Sequence, residues 1–331
     1  MKRNAVNSFS ANFSSKKKSK TKKYKMSNIE YIPREVDRLV LREKTTPARA
    51  QWLLVNCENL VTPEEVKKLK DYLNRMLESN CNLRVEYEQK PHGYGRIYAL
   101  ESMSMQGLNR NVRGLLAAPY YMDVDITNCH PVILIALCEK YGWRHSALKA
   151  YVEDRETMLQ MICESTSCKR WQAKILMLSL TFGGTFKGWL KRQKLNPAHM
   201  APKVPFVERY AGDMDFIKKK ISEQFAYYPV PNRDADENEH KEEVSRMSML
   251  LQDMENEILK VMRRVFKRNG YVAAVMMYDG MMVEKKKDGD VESILRKCEK
   301  AIGKKFGWTV DLEIKPVKSI HEKTFLESKS G

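Results

Sequence analysis

The chain has 331 residues, 43% of them hydrophobic, enough to bury a large core in one or two domains. Its 59 Lys and Arg against 42 Asp and Glu leave a formal charge of +17, so a polyanion is the expected partner. No apolar run reaches membrane-spanning length and the start lacks the compact apolar segment of a signal peptide, while seven cysteines without a CxxC pair argue for a reducing, intracellular setting and against a zinc site.

Residues 1–28 read as a disordered basic tail, with Lys2, Arg3 and the cluster Lys16, Lys17, Lys18, Lys20, Lys22, Lys23 and Lys25. Such a run serves as a nuclear import signal, a nonspecific nucleic-acid arm or a solubilising tail, and the sequence does not separate these. Residues 33–79 look helical, and "TPEEVKKLKDYLNRMLES" offers Thr62 as N-cap, Pro63 at the first position and acids in the first turn. "NLRVEYEQ" and "YGRIYAL" alternate like two strands joined by the turn Lys90-Pro91-His92-Gly93. Residues 120–126 read as a buried strand, and 129–194 as helical. The polar break "PVPNRDADENEHK" (229–241) reads as a mobile loop, followed by a long helix to about Lys267. "GYVAAVMMYDGMMVEKK" then forms two apolar β runs folded about Asp279 and Gly280, and a helix and the strand "WTVDLEIKPV" follow.

Three features carry chemistry. In a strand, Asp123 and Asp125 point to one face, so both can reach one cation. Asp279 sits at the tip of an apolar hairpin. An unpaired buried carboxylate is costly, so carboxylates held there need a cation or hydrogen bonds. Aspartates on neighbouring strands suit a two-metal phosphoryl-transfer site, with ions about 4 Å apart. The plain alternatives are a turn residue for Asp279 and an N-cap for Asp125. Between them, "CKRWQAKILMLSLTFGG" spaces Arg170, Lys174, Leu178 and Phe182 at four-residue intervals, a row suited to a nucleoside triphosphate. The pair Gly183-Gly184 would let another strand approach closely. Taken alone, the row also fits an amphipathic helix with solvated cations.

In order and spacing these segments resemble the palm and fingers of family A DNA polymerases and the related bacteriophage-type single-subunit RNA polymerases. "DITNCHPVILIAL" resembles motif A, with Asp125 as the metal-binding Asp. Arg170, Lys174, Phe182 and Gly183 fall on the motif B positions, and "VMMYDGMMVE" resembles motif C, with Asp279 and Tyr278. "GRIYALESMSMQGLNRNVRGLL" is similar to the segment before motif A, which points to Arg96, Gln106, Arg110 and Arg113 as strand-tracking residues, and "LLQDMENEILKVMRR" points to Gln252 on a template-contacting helix. The family's motif A Glu and motif B Tyr are His130 and Phe182 here, which leaves sugar choice open, and Pro131 and Gly280 also depart from the pattern.

The resemblance implies an α+β fold: a palm of antiparallel sheet with helices, helical fingers, and a reduced helical thumb-like region before them. The expected division is tail 1–28, thumb-like region 29–92, palm 93–153, fingers 154–240 and palm again 241–331. It further implies a template-directed nucleotidyltransferase, DNA polymerase foremost, acting on a DNA or RNA primer-template and nucleoside triphosphates. Two Mg²⁺ ions, with Mn²⁺ able to substitute, would bind Asp125 and Asp279, with Asp123 as a supporting ligand. Lys174 would protonate the leaving pyrophosphate, Arg170 would hold phosphate oxygens, and Phe182 with His130 and Gly183 would face the nucleotide. The nucleus or a viral replication site is the expected location. A terminal transferase, an RNA-synthesising enzyme or a reverse transcriptase on this fold, and a noncatalytic nucleic-acid-binding protein, are the alternatives.

Overall fold

The structure, a computed structural model, describes residues 24–25, 34–100, 103–195, 204–231 and 239–330. Most of the tail expected to be disordered lies outside them, but β1 (Tyr24–Lys25) does not fit that expectation: it pairs antiparallel with Val230–Pro231. That pair, β6, also replaces part of the loop expected over 229–241, whose residues 232–238 lie outside the described ones.

The N-terminal region is not purely helical. β2 (Arg38–Lys44), α1 (Pro47–Asn56), α2 (Pro63–Glu78), β3 (Asn82–Gln89) and β4 (Ile97–Ala99) place a three-stranded antiparallel sheet, β2-β3-β4, beside two helices. "RLVLREK" alternates, and it pairs along its whole length with β3, from Arg38 opposite Glu88 to Lys44 opposite Asn82. A distant strand thus overrides a local pattern that also suits a helix. α2 begins as its sequence predicts, with Pro63 in the first turn and the Thr62 amide donating to Glu65 at 3.2 Å. Glu43 on β2 is fully buried and ties the region together: it accepts from the Tyr72 hydroxyl at 2.7 Å, the Tyr87 hydroxyl at 3.4 Å and the Met105 amide at 3.0 Å. Burial pushes its carboxyl up to about 7, and the hydrogen bonds oppose that rise.

α3 (Arg110–Ala117) leads into β5 (Tyr121–Ile126), then α4 (Cys129–Tyr141), α5 (Ser146–Glu153), α6 (Arg155–Thr166), α7 (Arg170–Thr181), α8 (Phe186–Gln193) and α9 (Pro205–Gln224). After β6 come α10 (Glu239–Arg268), β7 (Ala273–Met277), β8 (Gly280–Glu284), α11 (Val291–Phe306), β9 (Leu312–Lys315) and α12 (Glu322–Ser330), the last absent from the sequence reading. The second sheet runs β7-β8-β5-β9, antiparallel throughout, with Asp125 opposite Gly280 on one side and Glu313 on the other. Apolar side chains from both sheets and the helices join in one core, from Tyr72 and Val85 through Val124 and Leu134 to Leu251 and Ile258. Among the described residues no helix is long and apolar enough to cross a membrane.

The β7–β8 turn is Tyr278-Asp279, with Met277 opposite Gly280, so Gly280 opens β8 instead of forming the turn. A Cβ at Gly280 would meet the Val124 carbonyl at 2.5 Å and the Asp125 Oδ1 at 2.8 Å. The glycine is therefore required by the close approach of β5.

Candidate nucleotidyl-transfer site

The ends of β5 and β7, the start of α4 and the faces of α7 and α10 enclose a cleft of about 510 Å³. Asp125 and Asp279 lie at its floor, Lys174 and Phe182 come from α7, and Gln252 comes from α10. Two segments far apart in sequence meet there because the register sets Asp125 beside the hairpin tip: the Ile126 amide donates to the Asp279 carbonyl at 3.1 Å. Asp125 is buried, and Lys315 of β9 donates to its Oδ2.

The carboxylates are crowded. Burial and the nearby Glu255 raise Asp279 above its ordinary value, against Arg96 and His130. Asp123 does not line the cleft but belongs to the same field. Burial and Asp279 raise it, while Arg113, Lys315 and Arg110 pull it down. Lys174 is lowered by burial and then by Arg155 and Arg170, with Asp279 and Glu313 opposing. Asp125 and Asp279 offer hard carboxylate oxygens at the cleft floor, a donor type that fits Mg²⁺.

Glu255 was not singled out in the sequence, yet it organises one wall. It is fully buried on α10 and accepts from Arg96 Nε at 2.5 Å and Arg96 Nη2 at 2.7 Å. Its Oε2 lies 2.8 Å from His130 Nε2, and the His130 ring stands edge-on to Phe182 at 5.7 Å. The Arg96 guanidinium also sits 5.0 Å from the centre of the half-exposed Tyr278 ring. Cys129, His130 and Glu255 bring ligand atoms within 4.8 Å of one another, a grouping that CxxC spacing does not reveal. Their carboxylate is already matched by Arg96, and burial pushes the Cys129 thiol well up.

The structure also places the other residues that the sequence singled out. Arg96 is paired with Glu255. Gln106 is buried and clasps the chain, accepting from Ala99 N at 3.0 Å and donating to Ile97 O at 3.2 Å and Met276 O at 3.0 Å. Arg113 donates to the Leu108 carbonyl at 2.6 Å beside Asp123, while Arg110 is exposed at the start of α3. Arg170 turns out of the cleft to a two-point pair with Glu156, at 2.7 and 2.5 Å. Arg155 lines the cleft in its place and bonds Asn128 Oδ1 at 2.6 Å, Asn128 itself having φ 50°. Among the described strands none pairs with Gly183-Gly184. Gly183 has φ 74° and the Gly184 amide donates to the Ser179 carbonyl at 2.7 Å, so the pair ends α7.

No family model matches the chain. Its sequence is similar to "Putative helicase V13" of Sputnik virophage, 25% identical over 237 residues, which is 71% of this chain and 30% of that protein. The chain thus spans under a third of the length of that curated relative. In fold it is similar to the POL domain of Pol1 from M. smegmatis, solved in complex with DNA primer-template and dNTP, with a TM-score of 0.52 and 13% sequence identity. That likeness covers 83% of this chain and 57% of the other. The chain therefore has a mixed helix and antiparallel-sheet fold similar to that of a DNA polymerase domain.

Proposed function

We propose that this chain is a template-directed nucleotidyltransferase, a DNA polymerase, that extends a 3′ end by two-metal phosphoryl transfer. The observation that carries the reading is the meeting of Asp125 and Asp279 at the floor of one cleft with Lys174 and Phe182. On this reading the sheet β7-β8-β5-β9 is the palm, α6 to α9 are the fingers, and α1 and α2 with β2-β3-β4 make a thumb-like region. Asp125 and Asp279, with Asp123 in support, would hold two Mg²⁺ ions, and Mn²⁺ could replace them. Bound there, the ions supply charge neutralisation at the attacking and leaving oxygens.

The chain's own residues do the rest. Lys174 and Arg155 hold the triphosphate, and Lys174 gives its proton to the leaving pyrophosphate, a task helped by its lowered pKa. Phe182 and His130 wall the nucleotide, while Gln252 and Tyr278 face the template. The helicase-named relative is matched over 30% of its own length, so its name carries no activity over to this segment.

The test is extension of a labelled DNA hairpin with Mg²⁺, offering dNTPs and rNTPs separately, beside Asp279→Asn. Template-dependent products from the wild type alone are expected. Absence of product on DNA and RNA primer-templates that the protein still binds would overturn the reading in favour of a noncatalytic binding protein.

A further inference from the structure

α10 works on two sides. Ser248, Gln252 and Glu255 line the first cleft, whereas Lys260, Arg263, Arg264 and Lys267 line a second one of about 500 Å³, closed by β2 and the start of β7. The offsets of three, four and seven residues set these cations on one stripe of the helix. The floor between them is apolar, built from Leu39, Leu41, Ile97 and Met276, and the exposed Val40 and Val272 stand at its edges.

Charge in this cleft is unbalanced. Lys260 is matched by Asp37 and Glu257, and Arg38 pairs with Glu88 at 3.2 Å. Among the described residues Arg263, Arg264 and Lys267 make no ion pair and Asp37 is the one acid in the lining. Burial lowers Arg263; Asp37 opposes that shift and Arg264 adds to it. A partly desolvated guanidinium without a bonded anion, over an apolar floor, is relieved by a ligand that joins negative charge to a flat apolar group.

We propose that this second cleft binds single-stranded nucleic acid, with one base against the apolar floor and the flanking phosphates on Arg263, Arg264 and Lys267. A duplex presents phosphates but keeps its bases stacked inside, whereas a single strand offers both a charged row and a free base. The chain's charge of +17 favours such a polyanion over an acidic peptide with no ring to insert. The two clefts share α10 as a common wall, and the adjacent residues Arg96 and Ile97 line one cleft each. Binding here does not depend on nucleotide addition in the first cleft.

The test is fluorescence anisotropy of a labelled oligothymidylate of about 20 nucleotides, titrated over a range of salt. The 331-residue wild type is compared with the triple variant Arg263→Gln, Arg264→Gln, Lys267→Gln. The variant is expected to bind at least about tenfold more weakly, and its log-log salt slope to be shallower by about 2, from ~0.7 per lost phosphate contact. Equal affinity and slope in the two proteins would overturn the proposal. So would polyglutamate that competes with the oligonucleotide on the wild type but not on the variant, which would favour an acidic protein partner. A free nucleoside triphosphate with the same selective competition would instead make the cleft a mononucleotide site and overturn the strand. Should the variant not fold, photocrosslinking of a 4-thiothymidine oligonucleotide to wild type decides: crosslinks in 37–41 or 271–276 are expected, and crosslinks confined to the basic tail or the first cleft overturn the proposal.

Discussion

His130 Nε2 lies 2.8 Å from Oε2 of Glu255, so a cleft-lining residue of α4 is anchored by a fully buried carboxylate of α10. The same carboxylate accepts from Nε and Nη2 of Arg96, and the anchored ring in turn backs Phe182. One buried acid therefore sets three side chains of the cleft.

Glu255→Gln should leave Arg96 half-buried without its counter-charge. Losing one partner of a buried pair costs about 3–5 kcal/mol, which urea unfolding would register. With the ring of His130 freed, the ratio of deoxyribonucleotide to ribonucleotide incorporation should move toward one. Stability and sugar preference both unchanged would remove Glu255 from this role.

Asp125→Asn and Asp279→Asn should each lower nucleotide addition by ~10²–10³-fold, the scale of losing one preorganised electrostatic contact. Neutralising Asp279 also relieves its repulsion with Glu255. Its thermal midpoint should therefore match or exceed that of the wild type, measured side by side with single-turnover extension.

Lys174→Arg keeps a positive charge at alkaline pH, where the lowered lysine has lost its proton. The wild-type rate should fall as pH rises through the lysine pKa, below the ordinary lysine range. In the arginine variant that alkaline limb should shift upward or vanish, on a smaller maximal rate.

Glu43 predicts a stability profile of its own. Its folded pKa of about 7 exceeds the ordinary value of 4.5, so the folded state holds a proton that the unfolded state has released between those limits. The stabilisation is complete below about pH 4.5 and is lost as pH rises to about 7, on the order of 3 kcal/mol in all. Unfolding midpoints should decline over that window, and Glu43→Gln should flatten the decline.

Gly280→Ala puts a methyl group against the Val124 carbonyl and Asp125 Oδ1. Overpacking of this kind costs about 1–3 kcal/mol, and the displaced aspartate should carry activity down with it. Thermal unfolding and extension assays on the one variant check both.

Local signals made parts of this molecule readable. Thr62 and Pro63 announce α2, and carboxylates inside apolar β runs announce Asp125 and Asp279. Glu255 was hidden because "QDMENE" offers acids at 253, 255 and 257 alike, and only the docking of α10 decides that Glu255 faces the cleft. Arg170 and Arg155 exchanged places for a similar reason, since Glu156 captures the arginine that sequence spacing favours. β2 depends on pairing with β3, roughly 40 residues on, a preference that no local window contains.

The order β7-β8-β5-β9 has a consequence for how the protein is made. Both hydrogen-bonding neighbours of β5 come later in the chain, the nearer beginning at Gly280. At ~5–20 residues per second, β5 waits about 8–30 s for its first partner during synthesis. Over that interval a nearly all-buried strand has two open edges. The nascent chain is thus most exposed to misassociation through the strand that carries Asp125, and its cleft can close only after β8 has emerged.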